Sequence, residues 1–169
     1  LARAGRQHIV SHSASLYRLS LMRPVTETAF ASIYAIYMDE QVNPYLRHEI
    51  MDKKSFQSVF EELVSRDAFW AYEHDGAVIG MCACTYGYAR TAHVAELGTL
   101  GFLSSAHGTG HAKMFLEDIL ESLITKGFKR IDLWVEADNE RAQKFYKKLG
   151  FQVDGIIPNY FKRANSEAY

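Results

Sequence analysis

Nowhere does the sequence hold a run of about twenty apolar residues, so no segment reads as a transmembrane helix. Cysteine is nearly absent, with Cys82 and Cys84 alone. In an extended segment the two point to one face, too close in sequence for an unstrained disulfide. No His or further Cys stands at ligand spacing, so they read as packed thiols rather than a metal site. Reduced thiols fit a cytoplasmic protein. Neither sign of charge dominates: 19 basic residues face 20 acidic ones, which points to neither nucleic acid nor an anionic membrane as the main partner. Only three prolines punctuate the chain, and no internal repeat stands out. Leu1 to Ser15 also lacks the long apolar region of a signal peptide.

What remains is an ordinary globular composition in 169 residues, enough for one domain with a real core. The chain opens on Leu1 rather than Met, and residues 1–15 read as an N-terminal extension or expression remnant. Residues 16–169 read as a single domain. Leu16 to Arg23 alternates as a first strand, closed by Pro24. Thr26 is placed to cap a helix through Phe30, Ile33, Tyr34 and Tyr37, and Asp52 a second with Phe56, Val59, Phe60 and Leu63 on one face. Between them, Asp39 to Asp52 reads as a loop.

Strands are expected at Ala68–Glu73 and Ala77–Tyr86, joined through His74-Asp75-Gly76 as a hairpin, and at His93–Leu103. A helix follows over Ala112–Lys126, stopped by Gly127, then a strand over Phe128–Glu136. Asn139 caps a fourth helix that ends at Gly150, and Phe151–Phe161 is a final strand. The order αα, β-hairpin, βαβα, strand predicts a mixed α/β layering around one sheet. The βαβ passage from 93 to 136 should pair parallel strands.

Two runs carry chemistry. In His107-Gly108-Thr109-Gly110-His111-Ala112, small residues let the backbone turn tightly with its N–H groups outward, ahead of a helix whose dipole favours an anion. The run has neither the Lys-Ser/Thr ending of a P-loop nor the third glycine of a dinucleotide fingerprint, since Lys113 stands there. Taken alone, small residues before a helix can equally serve close packing. Some thirty residues on comes Asn139-Glu140-Arg141-Ala142-Gln143-Lys144-Phe145-Tyr146-Lys147-Lys148-Leu149-Gly150-Phe151. Its stripe of Ala142, Phe145, Tyr146 and Leu149 would suit a core-facing helix in any protein.

Together the runs resemble the GNAT superfamily of acyl-CoA-dependent N-acetyltransferases. The first matches Arg/Gln-x-x-Gly-x-Gly/Ala through His107, Gly110 and Ala112, and the second matches Asn-x-x-Ala-x-x-Phe-Tyr-x-x-x-Gly-Phe. The resemblance covers roughly residues 16 to 163. It implies a GNAT fold, a twisted mixed sheet of six to seven strands flanked by about four helices. It also implies acetyl-CoA as co-substrate, with its pyrophosphate on the amides of His107, Gly108, Thr109, Gly110, His111 and Ala112. His107 departs from the family's longer side chain. If it touches phosphate, affinity should fall as pH rises through its pKa.

In the family the two parallel strands splay, which offers the backbone of Leu100, Gly101, Phe102 and Leu103 to the pantetheine and thioester. Gly101 leaves room for close approach. Tyr146 is implied as the proton donor to the leaving thiolate, and Asn139 as both cap and cofactor contact. An acceptor amine is mostly ammonium at neutral pH, with a pKa of about 10.4 for a lysine-like amine, so a base is needed. Glu96, in an otherwise apolar strand eleven residues before His107, is the best candidate, and several branches of the family place a basic glutamate there. An exposed strand residue or ion-pair member is the other reading of Glu96.

Ribosomal-protein alanine acetyltransferases carry a glutamate where this chain has Trp134, which argues against that branch. Relatives also finish with one more strand after the segment matching Tyr160–Tyr169. Here it is missing, truncated or supplied by another subunit, which leaves room for a homodimer. The expected activity is acetyl transfer to a primary amine of a small molecule, in a ternary complex. Acceptor choice is expected in Asp39–Asp52, with Asp39, Glu40, Glu49 and Asp52, and in Gly155–Tyr169. The alternatives are a protein or peptide acetyltransferase and a CoA-binding regulatory module without turnover.

Overall fold

A computed structural model describes residues 2–6, 21–158 and 160. One seven-stranded sheet organises them, in the order β2-β3-β4-β5-β6-β1-β7. The strands are β1 (Ala2–Arg6), β2 (Met22–Pro24), β3 (Ala68–His74), β4 (Ala77–Tyr86), β5 (Val94–Phe102), β6 (Arg130–Val135) and β7 (Phe151–Ile156). The helices are α1 (Phe30–Tyr37), α2 (Lys53–Val64), α3 (His111–Thr125) and α4 (Glu140–Lys148). This is the mixed α/β layering that the order of elements implied.

Alternation along the strands divides the core into two layers. One face carries Phe69, Ala71, Met81 and Ala83 against Ile33, Ile36 and Tyr37 of α1 and Phe56, Phe60 and Leu63 of α2. The other carries Trp70, Tyr72, Cys82, Cys84, Ala95, Leu97, Ile131 and Leu133 against Phe115, Leu116, Ile119 and Leu123 of α3. Each large side chain so buried contributes roughly 1.5–3 kcal/mol. Both cysteines are buried and free, on one face as expected.

Local signals explain most boundaries. Asp52 accepts from the Ser55 N–H at 2.8 Å and starts α2, and Asn139 accepts from Ala142 N–H at 3.0 Å and starts α4. Asp75 and Gly76 both take positive φ (50° and 76°), as a two-residue hairpin requires. Gly127 and Gly150 lie beyond the ends of α3 and α4 at φ 94° and 88°. Thr26 differs from expectation: its hydroxyl bonds to that of Thr28, and a 3₁₀ turn over Glu27–Ala29 precedes α1. Of the strand expected at 16–23, residues 22 and 23 lie in β2, where Pro24 is tolerated because β2 is an edge strand. Residues 16–20 lie outside the described residues, as do 161–169 at the end of the chain.

The site depends on what happens in β5. Up to Leu97 it pairs in parallel with β6, Glu96 against Asp132 and Leu97 against Leu133. On its other side Cys84 meets Leu97 and Cys82 meets Leu100, so Gly98 and Thr99 together oppose Ala83. Such a bulge bends a strand and increases its twist. Pairing with β6 ends where the bulge begins, while pairing with β4 continues to Phe102. The two parallel strands therefore part, and on that side Gly98–Phe102 keep an edge that no strand covers among the described residues.

Between β6 and β7 runs β1, antiparallel to both. Behind the open edge, Gly80 lies under the Phe102 ring, where a Cβ would sit 2.4 Å from the ring's tip. Tyr72 and Phe115 flank that ring and hold it in place. Gly80→Ala should therefore cost about 1–3 kcal/mol by overpacking. The check is a lower urea midpoint at unchanged m value.

Candidate active site

The glycine turn takes its shape from backbone conformation rather than from crowding. Gly108 and Gly110 adopt φ of 79° and 89°, yet a Cβ on either would meet nothing within 4 Å. Thr109 tightens the turn by donating its hydroxyl to the Ala106 carbonyl at 2.7 Å. Gly110 serves as the N-cap of α3 with no side chain of its own, and of the first-turn amides the His111 N–H makes a long contact of 3.5 Å to Thr109 Oγ1. Such amides lack intrahelical partners and face an anion readily. His111 begins α3 but turns its ring inward: Nδ1 lies 3.1 Å from the Tyr72 hydroxyl, and the ring packs on His74.

His107 does something the sequence did not suggest. Its Nε2 lies 3.2 Å from the Phe102 carbonyl, and its Nδ1 lies 3.1 Å from Arg141 Nη1. A carbonyl only accepts and a guanidinium only donates, so Nε2 carries the proton and Nδ1 is a bare acceptor. The ring is thus neutral here. Partial burial and the adjacent Arg141 charge both hold its pKa below the ordinary histidine value, against smaller opposite effects from the Phe102 carbonyl and Asp39.

Behind the turn, Leu100 and Phe102 face the α3 layer, and Leu103 returns its N–H to the Ile79 carbonyl. Gly101 faces the opposite way. The space it leaves is filled by Ile36 and Met81, each 3.2 Å from where its Cβ would be, and by Val42 at 3.5 Å. Its lack of a side chain thus lets α1 approach the sheet.

Tyr146 packs from α4 into the same layer, beside Phe145 and edge-on to Phe151. Burial raises its phenol pKa well above 10, with a further rise from Cys82, the β4 partner of Leu100. The phenol therefore stays protonated, packed against the same apolar layer that Leu100 joins. Asn139 is committed through Oδ1 to its cap, and its amide nitrogen remains for other contacts.

Glu96 lies on the other face. Trp134 donates its indole N–H to Glu96 Oε2 at 3.1 Å, and Tyr160 stacks on Trp134 at 5.3 Å with planes only 8° apart. Carboxylate, indole and phenol thus form a column at the parting of β5 and β6. The site residues expected from sequence therefore fall into two groups. Leu100, Phe102 and Tyr146 share the α3 side near the turn, Gly101 and Leu103 face the α1 layer, and Glu96 stands on that opposite face beside the same parting.

The acidic loop before α2 is partly occupied. Asp39 accepts from Ser104 N–H at 2.8 Å and Gln41 N–H at 2.9 Å, and Asp52 is the α2 cap. Glu40 and Glu49 are exposed and, among the described residues, form no ion pair. Two residues escaped the sequence reading. Gln143 fixes the β6–α4 loop by donating Nε2 to the carbonyls of Glu136 (3.1 Å) and Ala137 (2.7 Å). Arg141 reaches His107 across the turn, a contact over 34 positions that no local spacing reveals.

The sequence matches the model of the acetyltransferase (GNAT) family over residues 30–151. An uncharacterized N-acetyltransferase of Mycobacterium tuberculosis is 36% identical over 90 residues, 53% of this chain and 56% of that protein. The match thus spans little more than half of that relative's length. N-alpha-acetyltransferase 50 of Danio rerio is 32% identical over 111 residues, 65% of this chain and 64% of its own. Among solved structures, AAC(6')-Iy in complex with the bisubstrate analogue CoA-S-monomethyl-acetylneamine superposes with a TM-score of 0.65 at 21% identity. That superposition covers 84% of this chain and 97% of the other, and it shows a shared fold.

Proposed function

Because the chain belongs to the GNAT acetyltransferase family, we propose that it moves an acetyl group from acetyl-CoA to a primary amine of a small molecule. The transfer is direct, within a ternary complex. The observation that carries this reading is the uncovered edge of β5, with a protonated phenol on one side and the glycine turn at its end. The fit to the co-substrate is chemical. Amides at the start of α3 suit the diphosphate, and the strand edge suits an amide-bearing pantetheine arm.

When bound, acetyl-CoA supplies an activated thioester carbonyl. The residues do the rest. An N–H on the uncovered edge aimed at the carbonyl oxygen contributes about 2.7–4 kcal/mol to the transition state, the scale of one oxyanion-hole donor. Tyr146 holds a proton beside the departing sulfur. Glu96, oriented by the Trp134 indole, accepts the proton of the incoming ammonium, directly or through water. The Trp134–Tyr160 stack next to that carboxylate suits a cationic amine, since aromatic faces attract ammonium.

Direct transfer is supported by the two thiols. Burial pushes Cys82 well above the usual thiol range, and burial with the nearby Asp67 charge pushes Cys84 up to about 12. Neither forms the thiolate that an acyl-enzyme needs at neutral pH. Two buried reduced thiols also support a reducing, cytoplasmic compartment. No helix among the described residues is long and apolar enough to cross a membrane.

A peptide acceptor is the second reading. It is favoured by the Danio rerio relative and by exposed apolar side chains at Tyr45 and Ile50 before α2, at Ile156 ending β7 and at Ile157 after it. Initial-rate kinetics against amines, polyamines, amino acids and peptides test both, with CoA release corrected for hydrolysis. Intersecting double-reciprocal lines with a small amine are expected. Parallel lines would contradict direct transfer, and turnover only with peptides would favour the second reading.

A further inference from the structure

The diphosphate of acetyl-CoA carries charge that helix amides alone offset only in part, since a helix N-terminus presents about half a unit charge. The position where relatives carry a longer side chain holds His107, and its two partners leave that ring neutral. A cation must come from elsewhere if the turn is to hold a diphosphate well. Among the described residues, Arg141 forms no ion pair with a carboxylate, although five other arginines and lysines do. One of its N–H groups is engaged among the described residues, by His107 Nδ1. A guanidinium has five, so four remain for phosphate oxygens.

From this geometry we infer that Arg141 is the cation of the diphosphate-binding turn, and that His107 is a neutral positioning residue that anchors it there. The inference rests on the acetyl-CoA reading of the site. His107 ties the last residue of β5 to the first turn of α4, because one ring nitrogen donates to Phe102 and the other accepts from Arg141. The mouth of the parting is thus bridged, with the guanidinium beside the turn. Specificity follows: the bridge selects a thioester that carries a diphosphate over one that lacks it.

The anchor is also sensitive to acid. The groups facing His107 are the Phe102 carbonyl from β5, Arg141 from α4 and, at longer range, Asp39 from the loop after α1. A protonated ring turns an N–H toward the guanidinium, which removes the acceptor and adds repulsion. Because the neutral ring is the favoured form, the anchor is intact near pH 7 and is lost as pH falls through a pKa lower than that of ordinary histidine.

Two comparisons test this. The first compares acetyl-CoA with S-acetylpantetheine, which has the thioester and no diphosphate, as donors for wild type and Arg141→Ala. The ratio of their kcat/KM values should fall about 10- to 100-fold in the variant, the scale of a lost charged hydrogen bond. The second is acetyl-CoA affinity from pH 7 to pH 5 for wild type and His107→Gln, which keeps a donor and an acceptor but does not titrate. Protonation of the ligand's own phosphate is common to both proteins. Wild type should lose affinity more steeply. An unchanged donor ratio overturns the role of Arg141, and parallel pH curves overturn that of His107. Failure of the wild type to bind acetyl-CoA at all would overturn the acetyl-CoA reading, and this inference with it.

Discussion

Tyr146→Phe should lower kcat for acetyl transfer by about 100-fold, the lower range for loss of a positioned proton donor, with acetyl-CoA affinity changed only a few-fold. The substitution is clean because Phe keeps the ring that packs on Phe145 and Phe151 and removes only the hydroxyl. A free thiol has a pKa of about 8.5, so the departing thiolate gains from a donor that is protonated at neutral pH. Burial raises the pKa of this phenol and so favours that state. Pre-steady-state kinetics separate the chemical step from release. A variant with undiminished kcat and normal affinity would remove Tyr146 from the chemistry and favour water as the donor.

The second large effect is expected at Glu96. Glu96→Gln keeps the size of the side chain and an oxygen for the Trp134 indole, and removes the capacity to take a proton. At the wild-type optimum kcat/KM should fall about 100-fold, and the acidic limb of the pH–rate profile should be lost or displaced. The sign is fixed by the role. A base works when deprotonated, so activity rises with pH through the limb that Glu96 controls. Trp134→Phe tests orientation separately, with a smaller loss and the limb retained. An acidic limb that survives Glu96→Gln unchanged would leave ammonium deprotonation to solvent.

How much of this was legible in the sequence depended on the range of the cause. Caps at Asp52 and Asn139, the Asp75-Gly76 hairpin and the apolar stripes of α2 and α3 are set within a few residues, and each formed where the spacing put it. The glycine turn was legible for the same reason, since positive φ at Gly108 and Gly110 is a local demand. Thr26 misled because a threonine before a helix has rival partners, here the Thr28 hydroxyl.

Features set by distant partners were not legible. The bulge at Gly98–Thr99 exists only in the register of β4 against β5, and it decides where β6 lets go. The stretch Ala2–Arg6 has few strand-forming residues, and its place in the sheet comes from the two strands on either side. Gly101 seemed to promise room beside the cofactor. Its space is instead taken by Ile36 and Met81, because strand alternation turns it toward α1. His107 stood out only as a departure with a conditional phosphate contact, and the distant Arg141 shows that the ring acts as an acceptor.

The most direct test of acetyl-CoA binding beside the turn and the uncovered edge of β5 is a calorimetric titration of the purified chain with acetyl-CoA. One saturable site per chain is expected, weakened when Gly110, held at φ 89°, is replaced by a residue that resists that conformation. Absence of binding, or binding indifferent to the conformation of the turn, would contradict the assignment of the site.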